Sequence, residues 1–210
     1  MDIDINILTK LTIGKALISK KEKKVIILSA EEEFAYKLAK MVLVKPKLSV
    51  WMILIPIIVI FHMYRHKKVV SGQKEFAENY LISRKRALNE ALQACESERN
   101  ADIGKIVELA DIPLDTKEVY AEWLTLLVAH YQDLIMVEGN NFGKLIKSAY
   151  KSRSGYLLFL NRLNQVEKNF NSALKPHLYQ TTEAVDEIVA SMEKNSEELR
   201  RIQAKKIFRT

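Results

Sequence analysis

The sequence predicts a mainly α-helical protein, in which one membrane-inserted helix is followed by a C-terminal helical bundle. Three observations predict this class. Glycine and proline are scarce, with 6 Gly and 4 Pro in 210 residues, which leaves little material for the tight turns of a β-rich fold. Apolar residues recur at spacings of three and four through most of residues 70–210, as on helix faces that pack together. The interval Leu48–Tyr64 is almost entirely apolar and contains no Asp, Glu, Lys or Arg.

Residues 1–47 form a small N-terminal region in this prediction. Ser29 and Glu32 have the spacing of a capping box, which predicts an amphipathic helix over about residues 30–44. The helix ends before Pro46, because a residue that precedes proline avoids helical geometry. Two placements remain open: the helix lies on a membrane surface, or it packs on the C-terminal bundle.

The segment 48–64 is the predicted membrane anchor. Its 17 residues are at the lower limit of the roughly 17–25 that a spanning helix needs. Trp51 and Tyr64 stand near its ends, where aromatic rings favour the membrane–water boundary. Basic residues suited to contact with lipid headgroups or a partner flank it on both sides: Lys45, Lys47, Arg65, Lys67 and Lys68.

Pro56 divides this segment nearly in half, and two topologies follow. A proline-bent spanning helix would place its flanks on opposite sides of the bilayer. A re-entrant hairpin that turns at Pro56 would place both flanks on one side. Four basic residues lie within fifteen positions on either flank, so the positive-inside rule gives no orientation. The bent span is the preferred interpretation at this stage, and a buried core helix is a third reading.

The charge distribution favours a membrane partner over a nucleic-acid partner. The net charge is +7, and residues 1–47 contribute +4 of it through ten Lys against six Asp and Glu. This excess lies beside the apolar segment, which suits anionic lipid, and no nucleic-acid-binding motif is visible.

The single cysteine, Cys95, excludes an internal disulfide. We expect an inner or cytoplasmic membrane, with the C-terminal domain in the cytoplasm.

Residues 70–210 are predicted to form a cytoplasmic helical bundle domain that folds by itself. In it, Trp123 is expected in the core, Gly139 in a left-handed turn after a helix, and residues 175–177 in a linker. The predicted helices cover residues 73–99, 101–110, 116–137, 142–150, 154–174 and 182–208. The last helix carries a narrow apolar stripe, which we interpret as an association seam for a partner or a second copy: Val185, Ile188, Met192, Leu199 and Ile202.

The sequence offers little chemistry. His62 and His66 are four residues apart at the membrane boundary, a spacing that allows one of them to ligate a haem iron, although a polar border is the simpler reading. His130 and Cys95 lie on apolar stripes and are expected to be buried, inert side chains. We find no metal-ligand set, phosphate-binding glycine loop or nucleophile motif, and we predict no cofactor and no catalytic residues.

These observations predict a membrane-anchored helical scaffold or accessory subunit, more consistent with a binding protein than an enzyme. It would recruit or stabilise a partner complex, with a protein partner or a homo-oligomer at the membrane. One alternative is a subunit of a membrane redox complex that uses His62 or His66 as a haem ligand. Another is a regulatory protein or enzyme whose site forms only with a partner.

Overall fold

The described part of the chain is a bundle of α-helices. The structure, a computed structural model, describes residues 18–43, 73–178 and 185–209, and within these ranges it contains helices and no strands. The predicted mainly helical class and bundle are confirmed. The helices are α1 (Lys20–Leu43), α2 (Gln73–Glu96), α3 (Ile103–Glu108), α4 (Lys117–Met136), α5 (Phe142–Tyr150), α6 (Arg153–Leu178) and α7 (Val185–Phe208), with a 3₁₀ turn at Leu114–Thr116.

Helix α1 begins ten residues earlier than the Ser29–Glu32 spacing predicts. The capping box that forms is Ser19–Glu22: the Ser19 backbone N–H donates to Glu22 Oε2 over 2.8 Å, and the Glu22 N–H donates to Ser19 Oγ over 3.2 Å. The lysine-rich run that follows is therefore the first turns of the helix. Lysine and glutamate are good helix formers, and Lys23 is buried, where its Nζ donates to the Ile135 carbonyl over 3.0 Å.

Helices α1 and α2 pair antiparallel along their whole length. The contacts run in opposite sequence directions along the two helices. Lys20 Nζ donates to the Cys95 carbonyl over 2.6 Å, and further along, the Phe34 and Tyr80 rings lie 6.1 Å apart between centroids. Val42 and Phe76 share one hydrophobic cluster at the last contact of the pair. The end of α1 and the start of α2 therefore lie together. We call this end of the bundle end A, and the opposite end, with Lys20 and Glu96, end B.

The remaining long helices alternate between these ends. Helix α4 runs from end A to end B beside α2, and the Tyr120 hydroxyl donates to Ser83 Oγ over 3.0 Å. Helix α6 returns to end A, where His177 contacts Asp115 at 3.0 Å. Helix α7 then runs back to end B, where the Phe208 ring lies 6.2 Å from that of Tyr156. Helix α1 packs against α2, α4 and α7, so it belongs to the bundle, which is the second of its two expected placements.

The core is built on helix α4. Its buried side chains include Tyr120, Trp123 and Tyr131, and the Trp123 ring stacks on Phe170 with 5.9 Å between centroids. Trp123 is thus in the core as predicted. Helix α1 also contributes fully buried side chains, among them Ile27 and Leu38. The bundle and the N-terminal helix therefore share one interior.

Two local predictions are wrong. Residues 175–177 do not form a linker, because α6 continues through Pro176 to Leu178, and the ion pair of Lys175 with Asp186 at 2.8 Å anchors this last turn to α7. Gly139 does not adopt the left-handed conformation. Glycine fits there because a Cβ atom would lie only 2.8 Å from the backbone nitrogen of Leu145.

The predicted membrane segment 48–64 lies outside the described residues. Among the helices that the structure describes, none combines the length and apolar character needed to cross a bilayer.

Candidate functional site

Four charged side chains meet inside the bundle, each from a different helix. Glu31 comes from α1, Arg84 from α2, Glu167 from α6 and Arg200 from α7. Arg84 and Arg200 are each 4% exposed, which is unusual because charged side chains are rarely buried unless paired. We refer to these four residues as the buried network.

Glu167 is the centre of the network. Its carboxylate receives a bidentate pair from Arg200, with Nη1 to Oε2 at 2.6 Å and Nη2 to Oε1 at 2.8 Å. Arg84 Nη2 reaches the same Oε1 at 2.6 Å, and Arg84 Nη1 lies 3.2 Å from Glu31 Oε2. The two arginines and two glutamates form a continuous chain of charge-assisted hydrogen bonds, the stronger kind in proteins. This chain ties together four helices that lie far apart in sequence.

Aromatic and amide side chains complete the network. Trp123 Nε1 donates to Glu167 Oε1 over 3.2 Å, and the Tyr131 hydroxyl donates to Glu31 Oε1 over 2.8 Å. The Arg84 guanidinium lies 4.7 Å from the centroid of the Tyr80 ring, close enough for a cation–π interaction. Two further contacts hold the Arg200 guanidinium, one over the Phe34 ring and one with the Asn164 side-chain oxygen.

The network keeps its charges at neutral pH. Burial by itself would raise the pKa of Glu167, but Arg200 and Arg84, with the hydrogen bonds from Arg200 and Trp123, bring that pKa below its ordinary value. Burial by itself would lower the pKa of Arg200, and Glu167 outweighs it, so the pKa of Arg200 is raised. Glu167, Arg84 and Arg200 therefore remain charged at neutral pH.

A small cavity of about 60 Å³ adjoins the network between α2, α6 and α7, and Tyr80, Arg84, Trp123 and Glu167 help to line it. The Tyr80 hydroxyl and Arg84 Nε have no hydrogen-bond partner among the described residues. A buried water needs about 10–15 Å³ of such space and two to four polar partners. The cavity thus suits a few ordered waters that would satisfy both donors, and the network is a structural element of the interior.

The sequence analysis did not find these four residues, although each interrupts an apolar stripe at helical spacing. Arg84 lies between Leu81 and Leu88, and Arg200 lies between Ser196 and Ala204, all buried. Such a position is a usable signal, because a lone charge on a core-facing stripe must be paired or exposed. The partner could not be inferred, since pairing depends on how the helices pack.

Several predicted site residues lie outside the described ranges. These are the anchor residues Trp51, Pro56 and Tyr64, the candidate haem ligands His62 and His66, and the flanking basic residues Lys45, Lys47, Arg65, Lys67 and Lys68.

Of the three described side chains in the predicted association seam, two face inward and one is exposed. Met192 is buried in a cluster with Leu38 and Phe76, and Leu199 packs against that cluster, so these two side chains stabilise the bundle itself. Ile202 is 54% exposed and remains available on the surface. Val185 and Ile188 lie in the first turns of α7, and their side chains are not described.

The other candidates for chemistry are structural side chains. His130 is buried, its Nδ1 lies 2.6 Å from the Tyr150 hydroxyl, and burial lowers its pKa to about 3. Cys95 is half-buried, and burial raises the pKa of its thiol, which disfavours the reactive thiolate. Across residues 18–43, 73–178 and 185–209, no group of three His, Cys, Asp or Glu side chains is placed to hold a metal ion.

Comparison with known proteins adds no relative. No protein-family model, no curated protein and no solved structure matches this chain.

Proposed function

We propose that this chain is a membrane-attached helical adaptor, in which segment 48–64 enters the bilayer and the bundle stays on one side to hold a partner. The position of end A carries the proposal. The last residues of α1 and the first residues of α2 pack in the same cluster, through Val42 and Phe76. The two ends of the interval 44–72 therefore join the bundle at one place.

The closeness of the end of α1 to the start of α2 bears on the topology of the apolar segment. A single span would separate α1 from α2 by about 30 Å of hydrocarbon, and these helices are joined by Phe34–Tyr80 and Glu31–Arg84 contacts. To return across the bilayer, the chain would have to draw Arg65, Lys67 and Lys68 through it, at about 2.5–3.5 kcal/mol for each. The re-entrant topology neither separates α1 from α2 nor moves these basic residues across the bilayer, so we propose it in place of the bent span.

The length of the segment agrees with a re-entrant insertion. Pro56 leaves eight residues on each side, counted from Leu48 and to Tyr64. Helical arms of that length would reach about 12 Å, less than half of the hydrocarbon core. The basic residues that flank both arms would then lie at the headgroups of one leaflet.

Membrane retention tests the proposal. Ile55→Lys with Ile57→Lys places two charges at the deepest point, and we expect this variant to move to the soluble fraction under carbonate extraction. Leu109→Lys with Leu114→Lys is the matched control, because both side chains are exposed, at 64% and 82%, and this variant should remain in membranes. Retention of both variants would rule out the segment as the anchor.

Cysteine labelling in sealed vesicles tests the topology. After Cys95→Ser, single cysteines at Lys47 and at Lys68 would be treated with a maleimide that cannot cross the bilayer. We expect equal labelling of both positions from one side of the membrane. Labelling of the two positions from opposite sides would establish a single span and contradict the re-entrant topology.

A further inference from the structure

Two basic segments that are distant in sequence meet at end B. Helix α5 contacts the last turns of α7: a Cβ atom on Gly143 would lie 3.9 Å from Ile207 Cγ1. The start of α6 joins the same corner, where Tyr156 and Phe208 pack their rings together. Packing therefore brings the lysines of α5 and those of the last turns of α7 to the same end of the bundle.

This surface carries a concentrated positive charge. Seven exposed cations define it, and we call it the basic end: Lys144, Lys147, Lys151, Arg153, Lys205, Lys206 and Arg209. Within the described part of the chain, none of these seven forms an ion pair. Carboxylates do lie nearby: Glu33 of α1 interacts electrostatically with Lys206, and Glu193, Glu197 and Glu198 line one groove with Arg153 and Lys205. Arg200 belongs to the same basic stretch of sequence, but it is buried and neutralised by Glu167.

We propose that the basic end binds an acidic segment of a partner protein. This inference rests on the proposed function, because membrane attachment at end A decides against lipid as the ligand. Helix α4 has 20 residues and runs between the two ends, so it separates them by about 30 Å. That distance is about four Debye lengths at physiological salt, and headgroups beside end A would hardly attract the basic end.

Apolar side chains at end B favour a protein over a nucleic acid. Met136 ends α4 at this end of the bundle and is 62% exposed, and Leu158 lies in the second turn of α6 and is 73% exposed. A phosphate backbone offers no apolar group to them, whereas an acidic amphipathic helix offers carboxylates for the lysines and apolar side chains for these two.

The test uses the full chain in neutral phosphatidylcholine nanodiscs and a fluorescent 20-residue helical peptide with Glu and Leu on opposite faces. We expect saturable binding by fluorescence anisotropy that weakens as salt is raised. Replacement of Lys144, Lys147 and Lys206 by Gln should weaken binding about tenfold, since each exposed charge contributes roughly a factor of two to affinity. A matched control replaces Lys40, Lys74 and Lys105 by Gln, which are also exposed and lie outside the basic end; it should change affinity less than twofold.

Three outcomes would overturn the inference. Equal losses in the two triple variants would show a general response to net charge. Tighter binding of single-stranded DNA than of the peptide, through the same three lysines, would identify a nucleic-acid surface. Tighter binding of phosphatidylserine vesicles through those lysines would identify a lipid surface. Carbonate extraction of the same variants reports separately on the membrane anchor, so failure of the anchor and failure of the basic end are distinguishable.

Discussion

The Glu31 carboxylate and the Arg84 guanidinium are 53 residues apart in sequence, and they lie 3.2 Å apart in the interior of the bundle. This pair spans the interval that contains the apolar segment. It joins the helix before that segment to the helix after it, and through Glu167 it extends to the last two long helices.

Loss of Arg84 should strongly destabilise the protein. Arg84→Met keeps an apolar stem but leaves Glu31 without its cation and Glu167 with one guanidinium fewer. Breaking a buried ion pair by removing one partner typically costs about 3–5 kcal/mol, and we expect a loss of that size in denaturant unfolding. Arg162→Met, at an exposed position on α6, should stay within about 0.5 kcal/mol of the parent. Equal stabilities of the two variants would contradict the structural role of the network.

Acid should weaken the fold through His130. Its pKa is about 3 in the folded protein because it is buried, whereas the unfolded chain has the ordinary value near 6.5. The unfolded state therefore binds a proton first, and the free energy of unfolding falls as the pH decreases from 6.5 toward 3, by up to about 1.4 kcal/mol per unit. His130→Phe should flatten this dependence between pH 6.5 and 5. An unchanged slope for His130→Phe would contradict the assignment.

The lowered pKa of Glu167 acts in the same direction at lower pH. Its contribution is complete above the ordinary carboxyl range and is lost as the pH falls through the folded value. Glu167→Gln should therefore remove part of the pH dependence below about pH 4.5, measured as the midpoint of urea unfolding. The variant will be less stable at pH 7, so the test is the difference between its stabilities at pH 7 and pH 4. A difference equal to that of the parent would count against this prediction.

Lys151 holds a backbone conformation that favours glycine. Its φ is +60°, at the corner between α5 and α6, and a side chain in such a conformation costs about 1–2 kcal/mol. Lys151→Gly should therefore raise the melting temperature, although it removes one cation of the basic end. Lys147→Gly, inside α5, should lower it, because glycine in a helix costs about 0.5–1 kcal/mol. Destabilisation by Lys151→Gly would show that its side chain stabilises the corner.

The bundle should need α1. The sequence predicts a self-folding domain from residue 70, but α1 supplies Ile27, Ala35 and Leu38 to the interior and the Glu31 carboxylate to the network. We expect a fragment of residues 73–210 to lack a cooperative thermal transition by circular dichroism. Addition of a peptide of residues 18–43 should restore it. A cooperative melt of the fragment alone would show that residues 73–210 form a complete core without α1.

Sequence reasoning succeeded where one helix face decides the outcome. The bounds of α5 were predicted to the residue, because Asn141 marks its start by accepting a hydrogen bond from the Lys144 N–H. It failed where two signals compete. Ser19 and Ser29 both have a glutamate three residues later, and only packing of the first turns, with Lys23 buried against Ile135, selects Ser19.

The site was harder to predict than the fold. Glu31 and Arg84 resemble surface charges in a list of residues, and their burial depends on four helices meeting at one level. The prediction of a linker at residues 175–177 is wrong for a related reason. Proline by itself tends to end a helix, but contacts of Lys175 and His177 with other elements stabilise the last turn of α6. In both cases contacts between residues that are distant in sequence decide the outcome, and the periodicity of apolar residues does not reveal such contacts.

The antiparallel pairing of α1 and α2 makes residues 44–72 an insertion at a helical hairpin. Loop-closure entropy grows slowly with length, by about 0.6 kcal/mol for each doubling, so a hairpin of this kind tolerates loops of very different sizes. A short glycine–serine connection from Leu43 to Gln73 would then give the same bundle without its apolar segment. The proposed attachment and the folding of the bundle are thus separable, because deletion of residues 44–72 would remove the first and leave the interior unchanged.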